Sequence, residues 1–142
     1  MIEQTLSSLR PARLPQDDAR PVLLVEDDTL VAMVVEDGLR SLGFEPHIAG
    51  DAAAAVAALA EGLSPALAVI DVGLPDERGD QLAARLRGLY PSLKMIIASG
   101  YDEQQLRAQF STDPGVGVLG KPYTEKDLAA AVRALGVEVS TD

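Results

Sequence analysis

The chain has no cysteine and no tryptophan, a single histidine, and only 4% aromatic residues. Without cysteine, neither a disulfide framework nor a thiolate metal site can form. With so few rings, Leu, Val, Ile and Ala must fill the core. Cationic residues are scarce as well: 12 Lys and Arg against 22 Asp and Glu leave a formal charge of −10. Phosphate-backbone binding draws its affinity from clustered Lys and Arg, so nucleic acid is not expected as a partner. Long apolar runs are also missing. The longest, residues 52–60, is too short and too rich in alanine to span a bilayer, and the N-terminus lacks a continuous apolar signal core. No membrane partner is expected, and a cytoplasmic location follows. What is present is a 47% apolar share in 142 residues, which excludes general disorder and suits one domain with a real core.

Residues 1–20 differ from the rest. Pro11, Pro15 and the polar run Gln16-Asp17-Asp18 make a linker-like approach. Ile2, Leu6 and Leu9 could line one face of a helix too short to be stable without a partner surface, so a flexible extension is expected. The domain is expected over residues 21–138, with a tail over 139–142.

From Arg20 onward short apolar runs alternate with helical periodicity. Residues 22–25 read as a strand covered on both faces, and Val31, Val35, Gly38 and Leu42 recur at helical spacing until Gly43. Residues 45–49 suit a second strand. Asp51 can cap an Ala-rich helix whose Val56, Leu59, Ala60 and Leu63 share a face before Gly62 and Pro65 close it. Residues 67–70, 94–98 and 116–119 read as three further strands. The third helix is marked by Leu82, Leu86 and Leu89, a short fourth by Leu106 and Phe110, and the last by Leu128, Val132 and Leu135. Five β-α units predict an α/β fold, a doubly wound five-stranded parallel sheet flanked by helices, because right-handed crossovers cover both faces. In such sheets ligands bind beyond the carboxyl ends of the strands.

Four of the apolar runs stop at polar residues: Glu26 and Asp27 after the first, Asp71 after the third, Ser99 after the fourth, Lys121 after the fifth. One acid of the Glu26-Asp27-Asp28 run could simply cap the following helix, and Asp71 could begin a turn with Pro75. Together they form a carboxylate nest with a hydroxyl and an ammonium beside it, and crowded carboxylates repel unless a cation neutralises them. Oxygen ligands without His or Cys suit Mg²⁺. Lys121, fixed in direction by Pro122, is aimed to neutralise charge on a phosphoryl oxygen. His47 lies apart and reads as a half-exposed strand residue. Gly115, Gly117 and Gly120 spell G-x-G-x-x-G, and with Lys121 nearly a P-loop, but they fall on a strand and Pro122 replaces the metal-holding hydroxyl. A nucleotide site is therefore not expected.

On these residues the chain resembles the response-regulator receiver domains of two-component signalling, over roughly residues 20–138. Glu26 and Asp27 match the family's acidic pair, Asp71 its phosphoacceptor, Ser99 its small hydroxyl residue and Lys121 its lysine before proline. Leu74-Pro75 and Gly79 match the loop after the phosphoacceptor. The resemblance implies a flavodoxin-like, receiver-type fold. It implies Mg²⁺ bound directly by Asp27 and Asp71, through water by Glu26, and by the backbone carbonyl of Gly73. Ser99 and Lys121 would contact the phosphoryl oxygens. It further implies phosphoryl transfer to Asp71 from a histidine kinase or histidine phosphotransfer protein, with signalling to an unidentified downstream protein, and no classical enzyme activity. The usual receiver contact surface is the face of the fourth helix, fifth strand and fifth helix, near which Arg107, Lys126 and Arg133 fall. One departure stands out: Val118 occupies the fifth-strand position where many family members carry a switching aromatic. Tyr101 or Tyr123 could take its place, and Tyr101, close to Ser99, could shield a phosphoryl group from water. With no effector segment after Leu135, a stand-alone phosphoacceptor is expected. The alternatives are a degenerate receiver that binds partners without phosphorylation, and a small phosphatase-like or nucleotide-binding enzyme. Against the last stand the failed P-loop and Gly73, which sits two residues after Asp71 where some aspartyl-phosphate phosphatases require a second acid.

Overall fold

The computed structural model describes residues 19–140. The extension expected over residues 1–20 therefore lies almost wholly outside the described residues. Elements alternate without exception: β1 (Arg20–Val25), α1 (Thr29–Ser41), β2 (Phe44–Ala49), α2 (Ala52–Ala60), β3 (Leu67–Asp71), α3 (Gly79–Leu89), β4 (Met95–Ser99), α4 (Glu103–Gln109), β5 (Val116–Gly120) and α5 (Glu125–Ala134). All five strands are parallel, in the order β2-β1-β3-β4-β5. This is the expected doubly wound sheet, with its switch in strand order between β1 and β3.

The side chains of each inner strand alternate between two cores. Leu23, Val25, Ala68, Ile70, Met95 and Ile97 face α2, α3 and α4, where Leu59, Leu82, Leu86 and Leu106 meet them. Val22, Leu24, Leu67, Val69 and Ile96 face α1 and α5, against Val35, Leu39, Leu128 and Val132. Burial of both faces explains why the strands read as continuous apolar runs. Pro46 lies on β2, an edge strand, where a missing ladder donor is tolerated.

Capping residues define the helix starts. Asp28 accepts from the amides of Leu30 (3.0 Å) and Val31 (3.1 Å), and Asp51 from that of Ala54 (2.7 Å). Thr124 and Asp127 exchange bonds in a capping box. Gly43, with φ +93°, follows α1 in a conformation that disfavours any side chain. Two expected core residues lie outside. Ala60 is exposed because the inward face of α2 runs through Ala52, Ala55 and Leu59, one residue out of phase with it. Leu89 is 59% exposed because α3 ends there, and the half-buried ring of Tyr90 takes its place against the core. At the C-terminal end Val139 packs against the α1–α5 core, and the Ser140 amide donates to the Leu42 carbonyl at 2.8 Å.

Candidate functional site: an acidic rim closed by a lysine

Register sets the rim. Val25 pairs with Ile70, so Glu26 and Asp71 emerge side by side from adjacent strands. Asp71 pairs with Ala98, one residue before Ser99, and Ser99 pairs with Gly120, one residue before Lys121. Of the three consecutive acids, Asp28 is spent on capping α1, which leaves Glu26 and Asp27 for the rim. Carboxylate oxygens of Glu26, Asp27 and Asp71 lie within 4.8 Å of one another. Glu26 and Asp71 are buried and Asp27 is exposed, so the nest opens to solvent on one side.

The lysine closes the other side. Lys121 Nζ bonds Asp71 Oδ1 directly and stands 3.7 Å from Glu26 Oε1. Burial works against the ammonium, but the hydrogen bond and charge of Asp71, followed by Glu26, outweigh it and hold the Lys121 pKa above its ordinary value. Glu26 shows the opposite balance. Burial pushes its carboxyl up and the Asp71 charge adds to that; the Asp28 amide (3.1 Å) and Lys121 only partly compensate. One lysine thus faces three carboxylates, which leaves the nest short of positive charge. A cation that takes hard oxygen ligands fits this donor set, and no nitrogen or sulfur ligand competes with it.

The loop after β3 is held tightly. The Gly73 amide donates to Asp71 Oδ2 (3.0 Å), and the Gly79 amide to the Val72 carbonyl (2.9 Å). A Cβ on Gly79 would fall onto the Asp71 carbonyl and lie 2.9 Å from the Cα of Val72. Glycine at this position is therefore a packing requirement of the loop.

Ser99 is buried at the end of β4, and its carbonyl accepts from the Lys121 amide (2.8 Å). Its hydroxyl bonds Asp102, a residue the sequence reading passed over. Arg78, also passed over, joins Asp102 to Asp80. The Ser-x-x-Asp spacing at 99–102 is the one local signal here, since in that pattern a hydroxyl accepts from the amide three residues on, as Ser99 does from Asp102 at 3.4 Å. The Tyr101 ring is fully exposed and covers nothing in this conformation. Tyr123 is half-buried against the α1–α5 core, and burial, then Glu26 and Asp71, push its hydroxyl up to about 12. Val118 is buried. Arg107, Lys126 and Arg133 are all exposed, and Arg107 is tied to Glu103 and to the Val118 carbonyl (2.7 Å).

A doubly wound α/β domain with an acidic, lysine-closed rim at its switch point defines the class. The sequence profile of the response regulator receiver domain matches residues 22–133, and the chain belongs to that family. It is 35% identical over 98 residues to the sensor kinase CckA of Brucella abortus, covering 68% of this chain and 10% of that protein. It is 32% identical over 97 residues to the probable transcriptional regulatory protein TcrX of Mycobacterium tuberculosis, covering 68% and 41%. The chain thus spans about half or less of the curated relatives it matches. Among solved structures, a CheY-like receiver domain protein from Methanospirillum hungatei superposes with a TM-score of 0.66 at 28% identity, covering 81% of this chain and 91% of that one. A sensor protein from a Polaromonas species gives 0.72 at 27%, covering 82% and 96%. Receiver domains are phosphoacceptor signalling modules that bind Mg²⁺ at an acidic pocket and interact with histidine kinases. Among the described residues no helix is long and apolar enough to cross a membrane.

Proposed function

We propose that this chain accepts a phosphoryl group on Asp71 from a phosphohistidine of a kinase or histidine phosphotransfer protein, and signals through a phosphorylation-dependent protein contact. The observation that carries this reading is the clustering of Glu26, Asp27 and Asp71 within 4.8 Å, with Lys121 bonded to Asp71. Asp27 and Asp71, with the Gly73 carbonyl, would hold Mg²⁺ directly, and Glu26 through water. Bound there, the ion supplies positive charge for the phosphoryl oxygens. Asp71 Oδ1, released by Lys121, attacks phosphorus in line; the new O–P bond forms as the P–N bond breaks, and the imidazole leaves. The Gly73 amide keeps the other Asp71 oxygen oriented. Lys121 transfers its hydrogen bond from Asp71 to a phosphoryl oxygen, and the Ser99 hydroxyl turns to another. Only differential contact with the phosphoryl group can shift the conformational balance, so these two side chains carry the switch. Val118, being aliphatic, offers no switching aromatic on β5, which leaves Tyr123 beside Lys121 as the ring best placed to respond; Tyr101 reaches the site only by leaving its exposed position. Leu30, Met33 and Val34, exposed on α1 near the rim, suit the approach of an apolar partner helix.

The test is intact-protein mass spectrometry after incubation with Mg²⁺ and a small phosphoryl donor. Wild type is expected to gain one phosphoryl group and Asp71→Asn none. No gain by folded wild type would leave a phosphorylation-independent interaction module instead.

A further inference from the structure

The Ser99 hydroxyl is already committed. It donates to Asp102 Oδ1 and accepts, at 3.3 and 3.4 Å, from the amides of Tyr101 and Asp102. None of its hydrogen bonds reaches Asp71, Lys121 or Glu26. Asp102 is itself anchored from a different element. Arg78 Nη2 donates to Asp102 Oδ2 at 2.9 Å, and Nε of the same guanidinium donates to Asp80 Oδ1 at 2.9 Å. Asp80 is buried in the first turn of α3, so the anchor is fixed at both ends. Asp102 also stands at the N-cap of α4, where an aspartate ordinarily accepts from its own helix, yet it makes no such bond. Both its oxygens are spent elsewhere, one on Ser99 and one on Arg78. The Ser99 bond first, and Arg78 second, hold its carboxyl below the usual range, so it is a full acceptor at neutral pH.

We propose that Asp102, fixed by Arg78, is a positioning residue that holds the Ser99 hydroxyl off the phosphoryl site, so that a phosphoryl group on Asp71 must win that hydroxyl from a resident carboxylate. The proposal rests on the phosphoacceptor reading above. Both competitors are anionic oxygen acceptors, so the exchange trades one charge-assisted hydrogen bond for another. It is close to balanced, and the resident bond therefore sets what fraction of the phosphorylated protein engages Ser99. The same chain, Asp80–Arg78–Asp102–Ser99, ties the start of α3 to the start of α4. Engagement of Ser99 frees Asp102 Oδ1 from the end of β4, while the Arg78 bond to Oδ2 still ties the two helices.

The experiment measures the affinity of the full chain for beryllofluoride in saturating Mg²⁺ by calorimetry. Wild type, Asp102→Ala, Ser99→Ala and the double variant form a cycle. Asp102→Ala is expected to bind roughly threefold to tenfold more tightly than wild type, the scale of one net hydrogen bond. In the Ser99→Ala background the same substitution is expected to have no effect. Asp102→Asn, which keeps an acceptor oxygen without the charge, should show a smaller gain and serves if the alanine variant is poorly folded. An unchanged or weakened affinity overturns the proposal. Equal tightening in both backgrounds also overturns it, because that is the signature of merely removing a negative charge near an anionic ligand. Failure of wild type to bind beryllofluoride at all overturns the phosphoacceptor reading and this proposal with it.

Discussion

Gly79 and Asp71 touch through their backbones, and that contact sets a strict limit on what the loop after β3 can carry. The Cβ of an alanine at 79 would land on the Asp71 carbonyl, a group held in the sheet, so the clash cannot be relieved by turning a flexible side chain. Gly79→Ala is expected to cost about 1–3 kcal/mol, as overpacking at a rigid site does. It should also slow phosphoryl uptake, because small displacements of an attacking group are expensive. Urea midpoints and the mass-spectrometric assay check both effects; wild-type values in each would show that the loop yields freely. The contrast with the rest of the site is instructive. Glu26, Asp27, Asp71, Ser99 and Lys121 were legible because each follows or ends an apolar run, and parallel strands joined by crossovers bring their carboxyl ends to one rim. That Asp28 is the cap and its two neighbours are not became visible only in the helix-start geometry. Arg78 and Asp102 were not legible, since their bond joins residues 24 apart in different elements and leaves no local pattern.

At the scale of elements, the ten strands and helices were legible from periodicity, with strand boundaries off by one or two residues, while Leu63, expected on the face of the second helix, lies three residues beyond its end at Ala60. The misassigned faces, at Ala60 and Leu89, fall on the last residues of helices, where a shift in register or an early end changes which side chain points inward. A less visible device holds α2. Its first two amides, Ala52 and Ala53, both donate at 3.0 Å to Asp76, which comes from the loop after β3, while its own cap Asp51 serves Ala54. The loop that follows Asp71 and carries Gly73 is thereby clamped to a neighbouring helix. The amide of Ala52, then that of Ala53, hold the Asp76 carboxyl below its ordinary value of 3.8. A depressed folded-state pKa means that the stabilisation is complete above the unfolded value and is lost as pH falls through the folded one. Asp76→Ala should therefore melt below wild type at pH 7, and the gap should close as pH falls below 3.8. Melting curves across that range test it, and a gap independent of pH would assign the effect to packing rather than to the carboxylate.

For the whole molecule, a formal charge of −10 makes self-repulsion a standing cost of the compact state, and the rim concentrates that cost among three carboxylates and one lysine. Mg²⁺ can act on such a protein in two ways, as a diffuse counter-ion over the surface or as a ligand of the rim, and thermal stability separates them. Diffuse screening depends on ionic strength and is shared by NaCl. Site binding favours only the folded state and follows mass action, reaching about 2.7 kcal/mol when Mg²⁺ is at a hundred times its dissociation constant, or roughly 10 °C in Tm for a domain of this size. Scanning calorimetry of wild type is expected to show a saturable rise in Tm with MgCl₂ that NaCl at equal ionic strength does not reproduce. Asp27→Asn and Asp71→Asn should lose the saturable part and keep the small, non-saturating one. The comparison is made between increments rather than absolute Tm values, because Asp71→Asn also relieves repulsion and leaves Lys121 with a weaker partner. A rise that NaCl reproduces in full, or that both variants retain, would mean that the acidic rim does not bind the ion specifically.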